Sequence, residues 1–271
     1  MLTVRFCEGS PSVETLKVHR HDGVVTVTMS RPEKKNAADE TMWRELSEAF
    51  MAVRRNEQDR VLVLTGAGGD FCSGADLAGM REDALRYMAD AGEAARALHA
   101  LTIPTIAKVD GVAVGAGWNL ALGCDLVIAT DRARFSQIFV RRALSVDMGG
   151  SWLLPKLVGI QKAKEIAFFG DMYSAAQAAE LGLVTRLVSP DELDEVVTGM
   201  ARRLADRPAQ ALSLTKQLLD ASAEGGGMEA ALQREAHAQA NNITGADAKE
   251  AKAAFLEKRE PVFRPHTAAV V

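Results

Sequence analysis

Two glycine-bearing segments carry the first chemical signal in this chain. Gly66-Ala67-Gly68-Gly69 runs into FCSGADL, and GVAVGAG starts at Gly111; each follows a short apolar run and precedes a helix-forming stretch. Glycines in a strand-to-helix turn let the backbone approach a ligand closely, and they leave N–H groups at the helix start without intrahelical partners. Such groups bind phosphate, or, when two aim at one point, a developing oxyanion. Neither segment has the GxxxxGK(S/T) form of a phosphate loop, and neither gives G-x-G-x-x-G opening a helix with an acidic residue after the next strand. No GxSxG or HExxH occurs either. Cys7, Cys72 and Cys124 form no CxxC pair and no Cys/His zinc spacing. Dinucleotide, nucleoside triphosphate, serine-hydrolase and zinc-protease readings therefore lose ground to paired backbone donors.

The elements that must position these loops are legible around them. Thr15 to Ser30 alternates apolar and polar residues about His21-Asp22-Gly23, which predicts a hairpin. Asp39 to Asn56 places Met42, Leu46, Phe50 and Val53 at helical spacing. Val61 to Thr65 reads as a strand buried on both faces, and TIAKVD and DLVIAT as further strands. Strand, glycine loop and helix thus occur twice, the pattern of a parallel βαβ arrangement with both loops at one end of the sheet. Arg134 to Gly150 reads as irregular. Helical stretches follow in SWLLPKLVG, KAKEIAFFG and SAAQAAELG, the last with a capping box from Ser174 and Gln177 and a stop at Gly182. Glu195 to Leu219 and Met228 to Arg259 form a helical C-terminal region interrupted at Gly225-Gly226-Gly227. The expected division is a core at 13–200 and a helical region at 201–271.

Composition bounds the partners. With 271 residues, 48% of them hydrophobic, the chain can bury a sizeable core, and a net charge of −4 with interspersed signs offers no broad field for nucleic acid or anionic lipid. The start MLTVRFCEGSPSVE has acidic residues where a signal peptide needs an apolar stretch, and no run approaches the roughly 20 apolar residues of a membrane span. Reduced thiols and a soluble, cytoplasmic protein are the expectation.

GAGGDFCSGADL followed by IPTIAKVDGVAVGAGWNLALGCDLVIATDRARF resembles the enoyl-CoA hydratase/isomerase (crotonase) superfamily. The similarity continues through GGSWLLPKLVG, SAAQAAELGLVTRLV and AFLEKREPVF, over roughly residues 13–263. It implies an α/β crotonase-type spiral of ββα units with a C-terminal trimerisation region, hence a homotrimer or hexamer. It also implies an acyl-CoA substrate and no cofactor beyond the coenzyme A of that substrate. Carried over by position, the oxyanion donors are the N–H groups of Ala75 and Ala116, the latter where the family usually has glycine. A thioester enolate held there would make the α-proton removable, each donor contributing about 3 kcal/mol.

The resemblance also shows departures. The two glutamates that handle water in family hydratases correspond to Asn119 and Phe139, neither of which transfers protons near neutral pH. Family members that move double bonds are similar to this chain in carrying an aspartate at the position of Asp147. Among Leu144, Val146 and Met148 its pKa would rise by desolvation, while the Gly149-Gly150-Ser151 helix start would lower it. The implied reaction is isomerisation of an enoyl-CoA with Asp147 as acid/base. The alternatives are hydration in the family sense, dehalogenation of a CoA thioester with Asp147 as nucleophile and His99 as the local base, and acyl-CoA binding without catalysis.

Asn119 reads equally as a helix cap or a substrate contact, Phe139 as a pocket wall, and Asp147 has helix capping as its plain alternative. Asp76 reads as a cap and Asp125 as a structural hydrogen-bonding residue. The resemblance further implies that Arg31, Lys34, Lys35 and Lys258 meet the CoA phosphates. Adenine would then lie along the Ser73 to Leu77 backbone, near Phe255.

Overall fold

The computed structural model describes residues 14–79 and 83–263. Cys7, His266, the N-terminal stretch read for a signal peptide, and the outer ends of the 13–200 and 201–271 regions lie outside them, as do positions 80–82.

The chain opens with the expected hairpin, β1 (Leu16–His21) and β2 (Val24–Met29), antiparallel in the register Leu16 opposite Met29. Its turn residues Asp22 and Gly23 have φ of 49° and 76°, the left-handed pair that matches strand twist. α1 (Glu40–Arg55) starts at Asp39, whose side chain accepts from Met42 N at 2.9 Å, and it buries Met42, Trp43, Leu46, Phe50 and Val53. β3 (Val61–Gly66), α2 (Ala84–His99), β4 (Thr105–Val109), β5 (Val112–Val114), α3 (Ala116–Leu122) and β6 (Leu126–Thr130) follow. After β7 (Arg134–Ser136) come α4 (Gly150–Val158), α5 (Ile160–Phe169), β8 (Tyr173–Ser174), α6 (Ala175–Glu180) and β9 (Arg186–Val188). The C-terminal helices are α7 (Leu193–Ala205), α8 (Ala209–Glu224), α9 (Met228–Thr244) and α10 (Ala246–Glu257).

The main sheet has the order β1-β2-β3-β4-β6-β9, parallel from β2 onward. β3 explains why its sequence is continuously apolar. Leu62 and Leu64 enter one core with Met42, Phe50 and Leu98 of α1 and α2, while Val61 and Val63 enter another with Val197 and Ala201 of α7. The expectation of layers on both faces is met, and α7 spans position 200/201, the expected boundary between the core and the helical region.

Two expectations need correction. The stretch after Arg134 is not wholly irregular, because β7 pairs with β5 and β8 in a second, three-stranded sheet. The helical C-terminal region breaks not only at Gly225-Gly226-Gly227 but also before Pro208 and at Gly245. Proline lacks the N–H that would continue a helix and constrains the residue before it.

Asp125 is the tie expected of it. Its carboxylate accepts from Thr105 N at 2.7 Å, Thr105 Oγ1 at 2.9 Å and Lys216 Nζ at 2.9 Å, linking β4, the start of β6 and α8. Asp125→Ala leaves these donors without their acceptor and is expected to cost about 2 kcal/mol in urea unfolding. Retention of full stability would show that other acceptors replace it.

Candidate active site

The segment Cys72–Asp76 is threaded between two neighbours. Ala38 N donates to Gly74 O and Asp76 N donates to Ala38 O, each at 2.8 Å, so Ala38 and Ala75 face each other as a parallel bridge. In that pattern the bonds from Ala38 flank Ala75, and the N–H of Ala75 itself points to the opposite side. It donates to no group of the protein among the described residues. The second loop reaches the same place. Gly115, with φ 57° and ψ −125°, is the N-cap of α3 and leaves Ala116 as the first helical residue. Its N–H is one of the orphans of a helix start, and it too donates to nothing within the described residues.

Glycine permits the loops to touch. A Cβ at Gly74 would lie 2.8 Å from Val114 O and 3.7 Å from Ala116 N, and one at Gly117 would lie 2.2 Å from Cys72 O. The structure therefore brings residues 72–74 against the start of α3, and Ala75 and Ala116, each with an N–H unbonded among the described residues, directly follow Gly74 and Gly115 at that junction. Phe139 is buried at the edge of it, its ring 3.6 Å from where a Gly115 side chain would begin.

Asp147 lies in the loop before α4. The helix is capped by Gly149 without any side-chain bond, so Asp147 is not its cap. Burial pushes the Asp147 carboxyl up to about 7, and contact with its own backbone N–H opposes the rise only in part. Desolvation thus outweighs the helix start. Its Oδ1 is buried with no hydrogen-bond partner among the described residues. Burial also raises the Tyr87 phenol to about 12 and the Cys72 thiol to about 12, and the charge of Asp147 adds to both. Tyr87, on α2, accepts from Trp43 Nε1 at 2.9 Å and donates to Ala38 O at 3.0 Å, tying α1 and α2 to the Ala38–Ala75 bridge. Nothing in the sequence marked Tyr87, whose partners are 44 and 49 residues away.

Asn119 does not cap α3, since Gly115 does. Its amide is 1% exposed and bonded on both sides, donating from Nδ2 to Asp147 O at 2.9 Å and accepting from Gln137 Nε2 at 2.7 Å. Gln137, fully buried, was also missed. A polar residue between Ser136 and Ile138 gives no hint of a partner on α3.

A cavity of about 390 Å³ opens behind Asn119, between α2, α3, α4 and the end of α8, with Met148, Leu153, Trp152 and His99 in its wall. His99 packs edge-on against Trp152, ring centroids 5.1 Å apart, and its Nε2 is 3.7 Å from Glu224.

The cations expected near phosphates divide into two places. Arg31 Nη2 and Lys34 Nζ both reach Asp76 Oδ2, at 2.9 and 2.8 Å, and these contacts, led by Lys34, hold the Asp76 carboxyl below its ordinary range. Asp76 is therefore a counter-ion of this pair, and Arg31 Nη2 also lies 3.2 Å from Asp39 Oδ2. Lys35 is 3.9 Å from Asp70. Ser73 Oγ donates to Lys34 O at 3.2 Å, and Leu77 is half exposed beside this strip. Lys258, at the C-cap of α10, and the exposed Phe255 lie on the C-terminal helices. Cys72 and Cys124 are buried free thiols. Among the described residues, no helix is long and apolar enough to cross a membrane.

The family model described as enoyl-CoA hydratase/isomerase matches residues 19–266. A 1,2-epoxyphenylacetyl-CoA isomerase of Escherichia coli (strain K12) is 38% identical, covering 93% of this chain and 98% of its own. A crotonyl-CoA hydratase of Syntrophomonas wolfei is 32% identical, covering 92% and 98%. Among solved structures, an enoyl-CoA hydratase of Mycobacterium smegmatis superposes with a TM-score of 0.87 at 34% identity, covering 94% of this chain and all of that one (100%).

Proposed function

Because the chain belongs to the enoyl-CoA hydratase/isomerase family and has its crotonase-type α/β fold, we propose that this acyl-CoA enzyme moves a double bond along an unsaturated acyl chain, with Asp147 as its acid/base. One observation carries the choice. The carboxyl group whose burial raises its pKa to about 7 is Asp147, in the loop that Asn119 of α3 bonds, whereas by the family resemblance Asn119 and Phe139 stand where the two-carboxylate route to hydration requires acids. The Escherichia coli relative bears the name of a CoA-thioester isomerase, which agrees; the hydratase relatives share the fold, and fold alone does not assign the reaction.

In this reading the thioester oxygen accepts from the N–H groups of Ala75 and Ala116. The ionised Asp147 takes a proton from the acyl chain, and the electrons of that C–H bond delocalise into a dienolate whose negative charge rests on the thioester oxygen. The same carboxyl then returns the proton to the carbon at the other end of the conjugated system, which re-forms the thioester carbonyl and leaves the double bond displaced. A group with a pKa near the working pH suits both halves of this transfer. Phe139 walls the site beside Gly115. Arg31 is taken up by Asp39 and Asp76, so the more exposed Lys34 is the cation of this group offered to a phosphate; the CoA lies along Ser73 to Leu77, and Lys258 comes from the C-terminal helices. Leu219, Leu232, Ile243 and Phe255, all exposed on those helices, favour assembly as a homotrimer or hexamer, and a cytoplasmic location completes the reading.

Incubation with 3-enoyl-CoA and 2-enoyl-CoA thioesters in deuterated water tests it, with bond position followed by ultraviolet absorbance and mass by spectrometry. The expected result is interconversion of the two with deuterium entering the acyl chain. Hydroxyacyl-CoA as the sole product would replace the isomerase reading by a hydratase one. Binding with neither exchange nor conversion would leave only an acyl-CoA binder.

A further inference from the structure

Among the described residues, one oxygen of the carboxyl proposed as acid/base is buried without a hydrogen-bond partner, so no bond to that oxygen aims it and the backbone is the handle that is held. The carbonyl of Asp147 is gripped twice, by Gly150 N at 2.8 Å and by Asn119 Nδ2 at 2.9 Å. The next two residues, Met148 and Gly149, both have positive φ, 49° and 77°. For Met148 that conformation is unfavourable and persists only where its surroundings dictate it. Asn119 supplies much of that dictation. Its amide lies so close to Gly150 that a Cβ there would be 2.3 Å from Nδ2.

An asparagine amide can be turned either way, and its two partners together decide which. Gln137 Nε2 donates to Asn119 Oδ1 at 2.7 Å, which leaves Nδ2 facing the Asp147 carbonyl. Both side chains are essentially without solvent contact, at 0% and 1% exposure, so water cannot substitute for either bond. An ionised carboxylate at position 119 could accept from Gln137 but could not donate to Asp147 O. An amide meets both demands.

We infer that Asn119, oriented by Gln137, is the positioning residue that fixes the Asp147 loop and so aims its carboxyl at the acyl chain. This rests on the isomerase reading above. A displacement of the order of 1 Å at a reacting group can lower turnover about 10²-fold, so the effect belongs in kcat.

The test compares Asn119→Ala, Gln137→Met and Asp147→Asn on one enoyl-CoA, reading kcat, KM, the pH profile of kcat and the thermal unfolding midpoint. Asn119→Ala is expected to lower kcat about 10²-fold with KM near that of the parent enzyme. The pH midpoint should move as well, because the carboxyl no longer sits in one fixed environment. Gln137→Met, which keeps bulk but frees the Asn119 amide to turn, should lower kcat less, with the same pattern. A rise in KM at unchanged kcat would overturn the inference and make Asn119 a substrate contact. Unchanged kcat and pH profile in Asn119→Ala, with Asp147→Asn inactive, would overturn the positioning role alone. Full turnover by Asp147→Asn would instead remove the acid/base reading on which it rests. Should Asn119→Ala not fold, Gln137→Met decides by the same outcomes.

Discussion

Asp147→Asn is expected to lose isomerase turnover by about 10²- to 10⁴-fold, the contribution of a positioned acid/base, while binding of the CoA thioester survives. The amide is nearly isosteric and cannot take or return a proton, and among the described residues Asp147 Oδ1 has no hydrogen bond for the change to break. The parent enzyme should show the pH signature of the missing group. With its carboxyl raised to about 7 by burial, Asp147 is ionised above that pH and protonated below it. A step that begins with the carboxylate therefore slows as pH falls through about 7, rather than through the ordinary aspartate range near ~3.9.

The same displacement makes a second, opposite claim about stability. An acid whose folded-state pKa lies above its unfolded value holds its proton more tightly when folded. Its environment costs nothing below the unfolded pKa near ~4, and the cost grows between ~4 and ~7 and is complete above that. Asp147→Asn should therefore raise the thermal midpoint at pH 8, by the equivalent of a few kcal/mol at most, and change it little at pH 4. Lost activity joined to gained stability at high pH alone is what a desolvated functional acid predicts. A fall in stability at both pH values would instead identify a structural tie.

What could be read of this site beforehand follows the range of the interactions. The hairpin, α1 and the buried strand β3 are written in local periodicity, since β1 and β2 alternate and Met42, Leu46, Phe50 and Val53 recur at helical spacing. The glycine loops were legible because a required close approach leaves a residue type behind, as Gly74 and Gly117 show. β5 and β7 were missed because three-residue strands carry no period, and their pairing of Val112–Val114 with Arg134–Ser136 is long-range. The partners of Asn119 were missed for a related reason. Gln137 and the Asp147 carbonyl lie 18 and 28 residues away, and which way an amide turns depends on both at once. The direction of the Asp147 pKa was open because desolvation and a helix start oppose each other. Only packing decides their sum.

Gly117→Ala should be among the most damaging single-methyl changes in the protein. Its Cβ would be placed 2.2 Å from the carbonyl oxygen of Cys72 and 2.8 Å from the carbonyl carbon, contacts that no rotamer change can relieve because both atoms are backbone. That carbonyl already accepts from Val114 N at 3.0 Å, and Cys72 N donates to Val112 O at 2.9 Å, so Cys72 is tied to β5 and any retreat strains these bonds. Moving α3 instead carries Ala116 away from Ala75. Either relief changes the spacing of the two free N–H groups. The expected stability loss is roughly 1–3 kcal/mol or more from overpacking. Turnover should fall by about 10²–10³, the effect of one misplaced oxyanion donor, in the fraction that still folds. Gly199→Ala is the matched control: Gly199 is exposed within α7 with nothing within 4 Å of an added Cβ, and there the same methyl should stabilise by about 0.5–1 kcal/mol. If Gly117→Ala folded with full stability and turned over normally, the two loops would have to be far softer than their backbone bonds imply. The case for a fixed pair of donors would then fail with them.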